Sequence, residues 1–95
     1  MQAVIIAAGL SGVHHRADPG KRLDIDMYTE GHTVKDAPKL PLNLLDAIRN
    51  LEKDTELGEL LGPSFVQSYT KLKRSEWNAY ASHLTQWERD NTLDI

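Results

Sequence analysis

The amino-acid sequence predicts a mainly α fold, and three observations carry that expectation. Between Ser64 and Leu84, the residues Val66, Tyr69, Leu72 or Lys73, Trp77, Tyr80 and Leu84 recur at steps of three and four, which places them on one side of a 3.6-residue helix. Leu44, Leu45, Ile48 and Leu51 repeat the pattern on a shorter scale. Helix-start signatures stand at Asn43, Ser64 and Thr85, each followed three residues later by Asp46, Gln67 or Glu88, which can reach back to the cap.

Taken in order, the first element is the apolar run Ala3 to Leu10. Such a run suits a buried strand or a buried helix. As a strand, the run followed by Gly9 and Gly12 would resemble the opening of a dinucleotide-binding fold, with Glu30 placed as a ribose-binding acid. Ala7 holds the first glycine position of that motif, and Asp18, Pro19 and Gly20 impose a turn before a crossover helix could form. The preferred reading is a helix over residues 3–14, with Gly9 or Gly12 allowing close packing and a stop near His15.

Residues 16–42 lack sustained periodicity and are expected to form a long loop, an uncommon feature inside a compact domain. Leu23, Ile25, Met27, Tyr28, Val34 and Leu40 make it too apolar for a free linker, so it is expected to lie across a surface outside this chain. Helices are predicted over residues 43–61, with Leu42 stapling onto Ala47 and a restart at Asp54 or Thr55. Gly62 closes them in the C′ role. A long amphipathic helix over 64–84 follows, capped by Ser64, with the Trp77 and Tyr80 rings on its buried face and Lys71, Ser75, Asn78 and Ser82 toward water. Residues 86–90 form a terminal turn carrying Trp87, and the last residues fray unless docked.

A chain of 95 residues buries only about 60 to 65% of its unfolded surface, so a partner would help it. The formal charge of −3 and a pI near 5.7 provide no basic footprint, and neither nucleic acid nor a membrane is expected as a partner. With no cysteine there is no disulfide or thiolate chemistry, which fits a reducing compartment. The run at residues 3–10 is far short of the roughly 20 residues that span a bilayer and lacks a basic leader. The expected location is the cytoplasm.

Candidate chemistry is sparse. His14 and His15 are sequence neighbours whose side chains diverge by about 100° on a helix, while His32 and His83 lack partners at metal-ligand spacing. Asp24 and Asp26 would share one side of an extended segment, yet no third ligand accompanies them. Lys71, Lys73 and Arg74 read as a solvated basic face with Glu76 nearby, and Trp77 and Trp87 read as packing groups. No catalytic, cofactor-binding or metal-ligating residue is assigned. Tyr28, in a polar loop, is the one candidate for modification.

Several stretches, in order and spacing, carry a resemblance. They are AAGLSGV at 7–13, DPG at 18–20, Tyr28 after Asp24-Ile25-Asp26-Met27, LP at 40–41, the helix start NLLDAI, and FVQSYTKLKRSEW at 65–77. Together they resemble the carboxy-terminal part of glutamine synthetase, from near Met1 to Ile95. The closing TQWERDNTLDI is similar to the branch that includes γ-glutamylpolyamine synthetases and rhizobial-type glutamine synthetases. The resemblance implies a helical carboxy-terminal fragment of a larger α/β ligase catalytic domain. It also implies a parent enzyme that uses ATP with Mg2+ or Mn2+ to phosphorylate glutamate before an amine displaces the phosphate. The family's amino-terminal and catalytic portions, with their metal ligands and phosphate-binding arginines, would precede the part represented by this chain. The chain alone is therefore expected to be non-catalytic, with those portions as its partners in a homo-oligomer. In the classical bacterial branch a tyrosine after the DPG turn is adenylylated, and Tyr28 stands at the matching place, although the residues flanking it differ. The competing expectation is a stand-alone helical module for protein interaction or self-association.

Overall fold

Two helices laid side by side and joined through a short third one give the chain its order. The computed structural model describes residues 1 to 92; Leu93, Asp94 and Ile95, where fraying was expected, lie outside the described residues. The α-helices are α1 (Gln2–His14), α2 (Met27–Glu30), α3 (Leu44–Lys53), α4 (Thr55–Leu61), α5 (Pro63–Ala81) and α6 (Gln86–Thr92), with a 3-10 turn at Gly31–Thr33. No strand occurs among the described residues. The dinucleotide-binding reading requires a strand where α1 stands, and is removed.

Local chemistry sets most of the helix boundaries. The Asn43 side chain accepts from Asp46 N at 2.9 Å and starts α3, and the Asp54 carboxylate accepts from Leu57 N at 3.0 Å and starts α4. Leu42 does not staple onto Ala47: its side chain is 94% exposed, and the N-cap bond alone fixes the entry to α3. Gly62 has φ +100° and ψ 122°, a conformation that L-residues with a Cβ rarely adopt. It ends α4, and its carbonyl accepts from Val66 N at 3.1 Å, so α5 begins with no intervening loop.

The long helix differs from expectation at both ends. Pro63 occupies its first turn and Gly62 is its N-cap, so Ser64 lies inside the helix and does not cap it. Proline suits that place because its missing N–H has no partner in a first turn. The helix stops at Ala81 and not at Leu84. Ser82 Oγ donates to Asn78 O at 2.8 Å and Ala79 O at 3.2 Å, and His83 N bonds Tyr80 O, which tightens the last turn.

Packing is built around the seam between α3 and α5, which α4 also touches, while α1 rests on α4. Ile48 of α3 is buried, and on α5 the covered stripe is Val66, Thr70, Lys73 and Trp77. Thr70 is buried at no hydrogen-bonding cost because its hydroxyl donates to Gln67 O at 3.1 Å. Tyr80, expected in this face, is 72% exposed. It belongs with Phe65, Tyr69 and Leu72 to a second apolar stripe that no helix of the described chain covers. A helix this long holds two such stripes, and residue spacing alone does not say which one the neighbour takes.

Helix α1 is apolar on every side, yet Ala7 is its only buried residue. The expected close packing at Gly9 and Gly12 is not made: a Cβ built on either would meet nothing within 4 Å. The segment 16–43 runs outside the helical body, and α2 touches only the 3-10 turn that follows it. The Asp26 side chain caps α2 by accepting from Tyr28 N at 3.0 Å, so this stretch is not a continuous loop. The radius of gyration is 18.4 Å, against about 12 Å for a compact chain of this length. The accessible surface is 8738 Å², where a globular monomer of 10.7 kDa would expose about 5,500 Å².

Single substitutions should separate the two stripes. Ile48→Ala is expected to lower stability by about 2 kcal/mol or more, and Tyr80→Ala to change it by less than about 0.5 kcal/mol, with Trp77→Ala in between. Urea denaturation followed by far-UV circular dichroism checks the order, and a large loss on Tyr80→Ala would contradict the assigned face.

Candidate functional site

Polar side chains from distant parts of the sequence converge at the α1–α4 seam. Ser11 and His15 are four residues apart and therefore share one side of α1. Ser11 Oγ donates to Glu56 Oε1 at 2.9 Å, and His15 Nε2 lies 2.7 Å from the same oxygen. An ionised carboxylate only accepts, so the imidazole donates through Nε2. Glu56 is fixed in turn by the first turn of α4. Its carboxyl is held below the usual range, first by the Ser11 hydroxyl, then by the His15 hydrogen bond, with the charge of His15 and His14 adding to these.

The arrangement has the residue types of a nucleophilic triad but not its geometry. A serine nucleophile needs a base on its own hydroxyl, with the acid behind the base. Here the carboxylate stands between serine and histidine, and a carboxyl held low is a weak base. The arrangement is therefore a polar bridge between helices. It forms one wall of a cleft of about 520 Å3 lined by Leu10, Ser11, Val13, His14, Glu56 and Leu60. A second groove, of about 470 Å3, lies between Met1 and Val4 of the α1 end and Leu61, Phe65 and Tyr69 of the hairpin.

The residues singled out in the sequence are mostly kept apart. His14 and His15 meet edge to face, their ring centroids 5.2 Å apart. Asp24 pairs with Arg22 at 2.7 Å while Asp26 caps α2, so the two carboxylates do not form one hard-cation site. No group of three or more metal-ligating side chains stands together among the described residues. Within the basic cluster, Lys73 pairs with Glu76 at 3.0 Å, which raises the lysine above its usual range. Arg74 reaches across the α3–α5 seam to Glu52 at 2.6 Å. Trp77 stacks at a tilt on Tyr80 at 5.6 Å, Trp87 is exposed, and Tyr28 is fully exposed at the start of α2. The Ser11–Glu56–His15 bridge was not anticipated. The i, i+4 pair on α1 was visible in the sequence, but its partner lies 45 residues away and only the tertiary fold brings it close.

At the other end of the chain, Thr85 and Glu88 form a reciprocal capping box. Thr85 N donates to Glu88 Oε2 at 2.8 Å, and Glu88 N donates to Thr85 Oγ1 at 3.2 Å. The Thr85 backbone and then its hydroxyl hold the Glu88 carboxyl below its usual range. No helix among the described residues is long and apolar enough to cross a membrane.

Residues 1–92 match the family model for the glutamine synthetase catalytic domain. The chain is 63% identical over 95 residues to a glutamine synthetase of Rhizobium leguminosarum bv. phaseoli, a match that covers 100% of this chain and 22% of that protein. It is 37% identical over 96 residues to a glutamate–methylamine ligase of Methyloversatilis universalis, covering 98% of this chain and 22% of the ligase. The solved structure of apo GmaS without ligand matches with a TM-score of 0.90 at 57% identity, over 98% of this chain and 22% of that one. The chain thus spans 22% of the length of each of these relatives.

The capping box implies a pH dependence for α6. A carboxyl with a depressed folded-state pKa contributes stability that is present above its unfolded value and lost as pH falls through the folded one. Amide exchange in α6, corrected for intrinsic rates, should therefore quicken as pH drops below 4.5, the ordinary glutamate value. Glu88→Ala should remove that dependence, while Asp90→Ala should keep it.

Proposed function

The chain belongs to the glutamine synthetase catalytic-domain family, and we propose that it serves as the helical carboxy-terminal part of an ATP-dependent ligase joining glutamate to ammonia or an amine. The single observation that carries this reading is α1, apolar on every side and covered along one side only. A helix with that pattern belongs inside a larger body. The uncovered Phe65, Tyr69, Leu72 and Tyr80 stripe and the apolar residues of segment 16–43 face the same need. In this reading they lie against the remainder of the catalytic domain or against other subunits of a homo-oligomer, and the protein works in the cytoplasm.

The chain contributes scaffold and no reacting group. In such a ligase ATP and Mg2+ or Mn2+ supply the phosphoryl group and neutralise the charge that develops on it. Among the described residues Asp24, Asp26, Glu56 and Glu88 are each engaged singly and apart, and no group of three metal-ligating side chains gathers to hold such an ion. What its residues do is hold a hairpin rigid through the α3–α5 seam and present apolar faces on both sides. Tyr28 enters as a position for adenylylation, supported by its full exposure. Its phenol oxygen would take the adenylyl group from ATP and release pyrophosphate.

Experiments on the chain and on a chimera test this reading. The purified chain should release no phosphate from ATP with glutamate and ammonia or methylamine, and should bind the dye ANS and self-associate in sedimentation. A well-folded monomer with little ANS binding would favour the stand-alone module instead. Exchanging this chain for the matching segment of the Rhizobium leguminosarum enzyme should preserve ligase activity, whereas deleting the segment should abolish it; activity in the isolated chain would overturn the proposal. Incubation of the chimera with an adenylyltransferase and ATP should add one adenylyl mass to the Tyr28 peptide, and an unchanged peptide would remove Tyr28 from the reading.

A further inference from the structure

We propose that Ser11, His15 and Glu56 form a proton-operated clasp that sets how firmly α1 is held against α4. Among the described residues α1 packs on α4 and on no other helix, and the only α1 residue buried there is Ala7. The polar part of the contact converges on one atom, Glu56 Oε1, bonded to Ser11 at 2.9 Å and His15 at 2.7 Å. These two partners lie one turn apart on α1, so a single carboxylate fixes both the distance and the rotation of that helix.

The geometry ties the clasp to the Glu56 proton. Glu56 accepts both bonds with full strength only while ionised, since a bond to a charged acceptor is about twice as strong as a neutral one. The grip is therefore tightest where Glu56 has lost its proton. The depressed Glu56 carboxyl extends that window on the acid side.

The surrounding charges leave the switch to these residues. From α1, His14 lies beside His15 and adds positive charge. On α4 and its cap, Asp54 is committed to Leu57 N and Glu59 follows three residues after Glu56. From α3 and α5, Glu52 and Arg74 pair with each other. His15 and Glu56 are about half exposed, so the clasp tunes the position of α1 and is weakened by salt.

The chain has no cysteine, so nitroxide labels at Gln2→Cys on α1 and Asn78→Cys on α5 carry no background, and pulsed electron paramagnetic resonance reads the separation between the helices. At pH 6 and low salt one docked distance should dominate. The docked-to-undocked ratio should fall about two- to fivefold at pH 3. Glu56→Gln should lower that ratio at pH 6 and remove the change between pH 6 and 3, while Ser11→Ala and His15→Gln should each weaken docking and keep a smaller change. A ratio that does not change between pH 6 and 3, an equal change in Glu56→Gln, or an undocked α1 at pH 6 would each overturn the clasp. Because Ser11→Ala and His15→Gln leave Glu56 in place, docking unaltered in both would overturn it even if Glu56→Gln loses its helices.

Discussion

The seam between α3 and α5 is the constraint on which the rest of the chain depends. Ile48 gives it an apolar centre, Thr70 enters it by satisfying its hydroxyl within its own helix, and Glu52 and Arg74 close its rim. The seam forms because Gly62 reverses the chain with no loop between α4 and α5. A residue with a Cβ at φ +100° would be strained there whatever space surrounded it. Every other element is attached to this pair through α4 or through backbone alone.

The helical class and most helix starts were legible because they rest on neighbours in sequence. The Asn43 cap, the Asp54 restart and the Thr85–Glu88 box each involve groups three residues apart, and each is made. What was not legible depended on distant residues or on competition within a turn. Tyr80 and Leu72 fit the apolar spacing as well as Thr70 and Lys73 do, and the choice was made by the position of α3. Ser64 lost its capping role to the Gly62–Pro63 pair. Asp26 was read as one of two paired carboxylates, but a nearby backbone N–H claimed it.

The same distinction applies to function. Composition and spacing led to a helical piece that packs on something, and membership of the glutamine synthetase catalytic-domain family says what kind of body that is. Among the described residues, Asp26, Asp54 and Glu88 cap helices, Glu52 and Arg74 close the α3–α5 rim, and Glu56 bridges α1 and α4. Two relatives with different names, a glutamine synthetase and a glutamate–methylamine ligase, match 100% and 98% of this chain.

The all-round apolar character of α1 has a consequence for the life of the chain in a cell. Ile5, Ile6, Leu10 and Val13 are presented to water as a contiguous greasy rod, the kind of surface that drives off-pathway association and that chaperones exist to shield.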